Sequence, residues 1–449
     1  MAKRSGKVSL AELAAAFLLA GVPLAAQAQE TPSPAEPKAD SRYASEQPAS
    51  SGFAAELHSE VTWDDNIFGN NAHRQSDNVF QEGGVFKIWN KRPAWEVGLE
   101  YRPNVLLYRR VNGLNQFDHH LDFDNEFHAS QHLLFHLKDS LDYMAGIPEP
   151  RSNQDLSLPT GGSSNLNATT LTPFARQLAN EVAGEAEYEI SRRSFFSVSG
   201  SQGFRHFTNA GIGQAGIVPN LFNTQSDTGG ASYQYRMTRH FTAGLQYLFQ
   251  SLRFSQASHS KTQNGFLTVL WEARPHVSLS MFAGPQYSTT TGQFLIASTN
   301  PLQPGNVLIP LKTRQWGPAV GGTVTLRSNQ TVFRLTAHRL VSDGGGLLTT
   351  VTNTYEGAEI RRRLTWKWDL AITASNARSV SLQRPLGKGA VDTQAVGMAI
   401  EHPLLESLNL HAEYNYLRQR VNKAVPLSAD FDRNRFTIGL FYRPHENKF

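Results

Sequence analysis

The chain has 449 residues, no cysteine, and 42 basic against 38 acidic side chains, for a formal charge of +4. The absence of cysteine excludes disulfides, zinc–thiolate centres and thiol nucleophiles. The near-balance of charge argues against a nucleic-acid partner.

The first residues indicate the compartment. Lys3, Arg4 and Lys7 form a basic opening, an apolar stretch runs from Leu13 to Leu24, and Ala26-Gln27-Ala28 supplies a small-x-small site. Residues 1–28 are therefore expected to be a signal peptide cleaved after Ala28. Residues 29–52 carry Pro32, Pro34, Pro37 and Pro48 among Ser, Ala and Glu, the composition of a disordered periplasmic leader. No later segment reaches the roughly 18 consecutive apolar residues that a membrane-spanning helix requires.

From Ala54 onward the hydrophobic period is two. Leu57, Ser59, Val61 and Trp63 alternate with Glu56, His58, Glu60 and Thr62. Trp95, Val97, Leu99 and Tyr101 then alternate with Glu96, Gly98, Glu100 and Arg102. Phe117, His119, Leu121, Phe123, Asn125 and Phe127 oppose Asp118, His120, Asp122, Asp124, Glu126 and His128. Leu178, Val182, Ala186, Tyr188 and Ile190 oppose Glu181, Glu185, Glu187 and Glu189. Such alternation puts apolar side chains on one surface of a strand and charges on the other.

About eighteen such segments follow one another, and their connections alternate in length. Short turns are expected at Asn90–Pro93, Ala129–His132, Ser191–Ser194, Thr238–His240, Ala273–His276, Arg327–Gln330, Arg361–Arg363 and His402–Glu406. Longer links lie between them, among them Met144–Ala175, Thr289–Leu311 and Ser342–Leu348. Short–long alternation is the signature of an all-β, antiparallel, up-and-down transmembrane barrel with short periplasmic turns and longer external loops. Residues 53–449 are expected to form it. All seven tryptophans fall near strand ends, where a membrane interface places aromatic girdles. The last segment, Phe436, Ile438, Leu440 and Tyr442 before Phe449, has the aromatic character of a barrel assembly signal, which makes the barrel-assembly machinery and outer-membrane lipids expected partners.

Thr62-Trp63-Asp64-Asp65-Asn66-Ile67-Phe68 resembles the first-strand exit of the β-barrel porin 2 family. That resemblance implies an outer-membrane, porin-like barrel and an association with exopolysaccharide export.

The expected interior carries Glu96, Glu100, Arg102, Asp118, His120, Asp122, Asp124, Glu126, Glu181, Glu185 and Glu189. Residues 53–200 hold 12 Lys and Arg against 20 Asp and Glu, and residues 201–449 hold 25 against 13. An acidic wall facing a basic one is the expectation. The longest link offers Glu149, Arg151 and Asp155 as candidates for a constriction loop. Asp64, Asp65 and Asn66, with Asp77 and Asn78, suit either a calcium site or Asx turns, and no EF-hand spacing is present. No phosphate loop, His-Glu-x-x-His or Gly-x-Ser-x-Gly motif occurs, and no cofactor is implied. Eighteen strands leave room for an aqueous channel, so a pore passing small polar or saccharide-like solutes leads. A membrane-embedded hydrolase of lipase or acylase type and a plugged structural barrel remain the alternatives.

Overall fold

The computed structural model describes residues 50–448 apart from 70, 72–73, 147–169, 172–174, 209–220, 256–257, 275, 298–305, 366, 384–388, 423–429 and 445–446. The signal-peptide segment, most of the leader, Trp366 and Phe449 lie outside the described residues.

Among the described residues eighteen strands form one antiparallel sheet that closes on itself. They are β1 (Ser50–Asp64), β2 (Asp77–Arg92), β3 (Trp95–Tyr108), β4 (Gln116–His128), β5 (Leu133–Gly146) and β6 (Ala175–Ser191). Next come β7 (Ser194–Thr208), β8 (Thr224–Thr238), β9 (Phe241–Phe254), β10 (Ser258–Arg274), β11 (Val277–Ala297) and β12 (Asn306–Ser328). The circuit ends with β13 (Thr331–Gly344), β14 (Leu348–Arg363), β15 (Asp369–Ser381), β16 (Ala390–Leu405), β17 (Leu408–Val421) and β18 (Phe431–Tyr442). Each strand pairs with its neighbours in sequence. β18 returns to β1 from Leu57↔Tyr442 to Asp64↔Arg435, and a short β19 (Asn447–Lys448) extends that seam at Gly52↔Lys448. Closure joins the last strand to the first, so backbone N–H and C=O groups around the circuit find partners without water.

The exposed large side chains identify the outer face. Leu57, Trp63, Ile88, Trp95, Leu99, Val198, Leu245, Leu267, Trp316, Met398 and Ile438 all lie on it, with Leu245 63% and Trp316 70% exposed. In a soluble protein so continuous an apolar surface would aggregate. Around a closed barrel it is the belt that faces lipid. Trp63, Trp95, Trp271 and Trp368 are exposed near strand ends, as a girdle requires, whereas Trp316, expected beside a long link, is exposed in the middle of β12 because that strand extends out to Asn306. Trp89 is different. Its register with Gly98 puts it on the inner face.

Three connections differ from the sequence expectation. The turn placed at Arg361–Arg363 lies beyond Arg363, because those arginines pair with Thr331, Val332 and Leu370 inside β14. The link placed at Thr289–Leu311 is mostly strand, since β11 and β12 stay paired out to Ala297↔Asn306. The link from Ser255 to Ser260 shrinks because β10 begins at Ser258 and pairs there with Phe254.

Face assignment gives a direct stability test. Leu245→Arg, on the outer face of β9, is expected to cost about 2–4 kcal/mol near the bilayer midplane, whereas Glu185→Arg on the inner face of β6 costs far less. Urea titration of the folded protein in lipid vesicles measures both, and equal costs would reject the assignment.

Candidate functional site

The candidate site is the barrel interior, and its two sides differ in chemistry. On β3, β4 and β6 the alternation places Glu96, Glu100, Arg102, Asp118, His120, Asp122, Asp124, Glu126, Glu181, Glu185 and Glu189 on the inner face, opposite the exposed Trp95, Leu99, Phe127, Val182 and Tyr188. These side chains are half-buried or exposed, except His120 and Glu126, which are buried. A few cations lie among them. Lys87 Nζ lies 2.7 Å from Glu100, Arg102 bridges Glu100 and Asp122, and Lys138 lies 3.7 Å from Asp124.

A second stretch of the wall, on β9–β11, is neutral and closed off. Gln250, Ser260 and Thr262 on the inner face of β9 and β10 are each 1% exposed, and Asn264, Ser288 and Thr290 are also buried. Hydroxyl and amide groups there bond across strands, as in Ser260–Thr290, Thr262–Ser288 and Gln286–Asn264. Beside them Leu248, Phe266, Phe282 and Ala319 form an apolar cluster.

The basic wall expected across from the acidic one is absent from β8–β12. Much of the positive excess of the later half points outward instead: Arg253, Lys261, Lys312, Arg314, Arg339 and Arg378 share the outer face with the exposed apolar side chains. A count of charges along the chain does not reveal which face each one takes. The inner face of β13–β18 is mixed, with Arg334 and Arg361 against Glu359, and His411 between Glu401 and Glu413.

The external mouth is narrowed by an element that the sequence reading placed only as a link. Above Val320↔Arg339 the pairing of β13 with β12 ends, and β13 continues with β14 alone. Their tip, residues 341–351, is buried throughout on both faces. It crosses to the far side of the barrel. Arg205 on the inner face of β7 places Nη1 3.1 Å from Asp343 Oδ2, with Asp343 fully buried. The Phe222 N–H donates to the Gly346 carbonyl at 2.9 Å, and Leu347 packs with Ala175, Phe207 and Leu221. Gly345 and Gly346 have φ of 62° and 90°, values open to glycine and strained for other residues. A sequence signal existed: Leu347, Leu348 and Val351 are apolar residues that an exposed external loop has no use for.

Glu149, Arg151 and Asp155 lie outside the described residues. The downstream end of their link is described. Leu171 is fully buried, donates its N–H to Gln419 Oε1 at 2.9 Å and accepts from Gln419 Nε2 at 2.8 Å, while Thr170 donates to Ser379. Gln419 and Ser379 belong to the inner faces of β17 and β15, across the barrel from β6.

Other sequence candidates have structural partners. Asp64 takes two bonds from Arg433, Asp65 accepts from the Asn434 backbone and side chain, and Asp77 accepts from the backbone of Arg110 and Val111. These carboxylates close turns and the β1–β18 seam. Among the described residues no group of three or more His, Asp and Glu has metal-site geometry. His119 faces outward against Phe117 and the Tyr101 hydroxyl. His120 has Asp142 2.5 Å from Nδ1 and Asp122 2.5 Å from Nε2. With both ring nitrogens on carboxylates, His120 has none to offer a hydroxyl nucleophile, which removes it as a hydrolase base.

No family model matches the chain, and no curated protein matches it. Among solved structures it is similar to OccAB4 of Acinetobacter baumannii, at 11% identity and a TM-score of 0.43 over 90% of this chain and 100% of that one. It is similar to OccK2 (OpdF) of Pseudomonas aeruginosa in complex with glucuronate, at 10% identity and 0.43 over 88% and 98%. It is equally similar to the ferric-catecholate import receptor Fiu of E. coli, at 7% and 0.44 over 88% and 81%. Likenesses of this size do not choose among solutes.

The docked tip is testable. Removing the guanidinium with Arg205→Ala leaves Asp343 in a site that penalises an ill-paired charge by about 3–5 kcal/mol. The tip is then expected to swing outward, and single-channel conductance in planar bilayers should rise. Conductance identical to wild type would show that the tip does not narrow the mouth.

Proposed function

We propose that the chain is an outer-membrane channel for small polar solutes, with passage along the acidic wall of β3–β6 beneath the β13–β14 tip. The observation that carries this reading is the contrast between the two inner walls, one charged and open to water, the other neutral and buried. Clustered carboxylates in a confined, low-dielectric conduit concentrate cations and repel anions. The partly compensating Lys87, Lys91, Arg102 and Lys138 keep the path from being a simple cation sink and provide donors for the hydroxyls of saccharide-like solutes. Thr170–Leu171 supports a second narrowing element contributed by the link that carries Glu149, Arg151 and Asp155. The surrounding partners in this reading are outer-membrane lipids and the barrel-assembly machinery. Nothing among the described residues is particular to exopolysaccharide, so the reading stops at small polar solutes.

The test is a reversal potential across a salt gradient in planar bilayers. Wild type is expected to favour K⁺ over Cl⁻. Glu181→Gln combined with Glu185→Gln should lower that preference severalfold at low salt and have less effect near 1 M, where the Debye length falls to about 3 Å. A silent wild type, or a preference for anions, would reject the proposal.

A further inference from the structure

Outside the channel, the external ends of β9–β12 carry a group of cations with an unusual setting. On the outer face, lateral register lines up Ser251, Lys261, Thr289 and Arg314 in one row across four strands. The next row outward holds Arg253, His259, Thr291 and Lys312. Lys261 and Arg314 sit two strands apart, which is about 10 Å. Lys261, Lys312 and Arg314 are exposed, and their inward neighbours Thr262 and Thr290 are buried, so the three cations point away from the barrel.

Two observations separate this group from the other outward cations. Several other outward cations meet an acid: Arg378 lies 3.6 Å from Asp392, Arg418 lies 3.6 Å from Asp432, and Arg74 lies 3.7 Å from Asp65. On β9–β12 the outward positions in register contain no Asp or Glu, and among the described residues only Arg253 of this group has a carboxylate partner, Asp227 of β8. Directly beneath the two rows lie Phe249, Gln263, Tyr287 and Trp316, with the Tyr287 and Trp316 rings 4.8 Å apart. Below that comes the lipid-facing belt of Leu245, Leu267 and Met281. Apolar belt, aromatic girdle and unpaired cations thus stack in the order acyl chain, interface and headgroup.

We infer that Lys261, Lys312 and Arg314 form a docking surface for the phosphate groups of an anionic glycolipid in the outer leaflet. Exposed cations with no protein counter-ion at headgroup height are matched by phosphates held there by their own acyl chains. Thr289 and Thr291 between them supply hydroxyl donors. Each cation near an anionic membrane surface contributes enough to change binding about fivefold, so loss of all three weakens it about a hundredfold.

The test uses the full chain folded in detergent micelles, with bis-phosphorylated lipid A as the probe and its dephosphorylated form as the comparison. Binding is read by native mass spectrometry and by the lipid-dependent rise in unfolding temperature. Wild type should prefer the phosphorylated lipid, and the triple variant Lys261→Gln, Lys312→Gln, Arg314→Gln should bind it about a hundredfold more weakly, while Arg378→Gln binds as wild type does. Should the triple variant fail to fold, raising salt to about 1 M on wild type replaces it, and binding should then be lost. Four results would overturn the inference: triple-variant binding within twofold of wild type, equal binding of the dephosphorylated lipid, a loss as large in Arg378→Gln, or binding that salt leaves unchanged. Full displacement of the lipid by inorganic pyrophosphate would also overturn it, by showing a site for free anions instead of a lipid surface.

Discussion

Closure of the sheet between β1 and β18 is the constraint on which everything else depends. In hydrocarbon an unpaired backbone N–H or C=O costs several kcal/mol, so a strand sheet is stable there only without edges. The seam is reinforced by side chains at its external end. Thr62 and Thr437 hydroxyls meet at 2.8 Å, Arg433 binds the buried Asp64, and Asp65 holds Asn434. The acidic motif at the exit of β1, which on sequence suits a calcium site, joins the first strand to the last.

Once closed, the barrel assigns every residue to lipid or lumen by parity, and function follows from what each inner wall receives. In the proposed channel, carboxylates on β3, β4 and β6 form the side that attracts cations. On β10 and β11 the pairs Ser260–Thr290, Thr262–Ser288 and Asn264–Gln286 bond to one another across strands. The interior is therefore asymmetric even though the backbone circuit is regular. The β13–β14 tip adds to that asymmetry by leaving the wall and spending its apolar side chains against Ala175, Phe207 and Leu221.

Period-two patterning made the strands and their number readable in the sequence, because on strands such as β3, β4 and β6 apolar residues alternate with charged ones. Where the pattern weakens, sequence says less. Thr289–Leu311 reads as a link because Thr, Gly and Gln carry little amphipathic contrast, yet the backbone continues to pair. Trp89 takes the inner face by its register with Gly98, which the girdle rule ignores. The inward tip depends on contacts with β7 and with Phe222, far away in the chain. The outward turn of Lys261, Lys312 and Arg314 likewise follows only when each strand's face is known, which a tally of charges by segment does not give.

The chain contains no cysteine, so single cysteines report cleanly on which wall is wet. Glu185→Cys and Thr262→Cys, each in planar bilayers, can be exposed to a membrane-impermeant, positively charged thiol reagent. An open path along the acidic wall predicts that Glu185→Cys reacts within seconds to minutes and loses conductance while Thr262→Cys stays silent. Equal reaction at both positions, or reaction at Thr262→Cys alone, would contradict it.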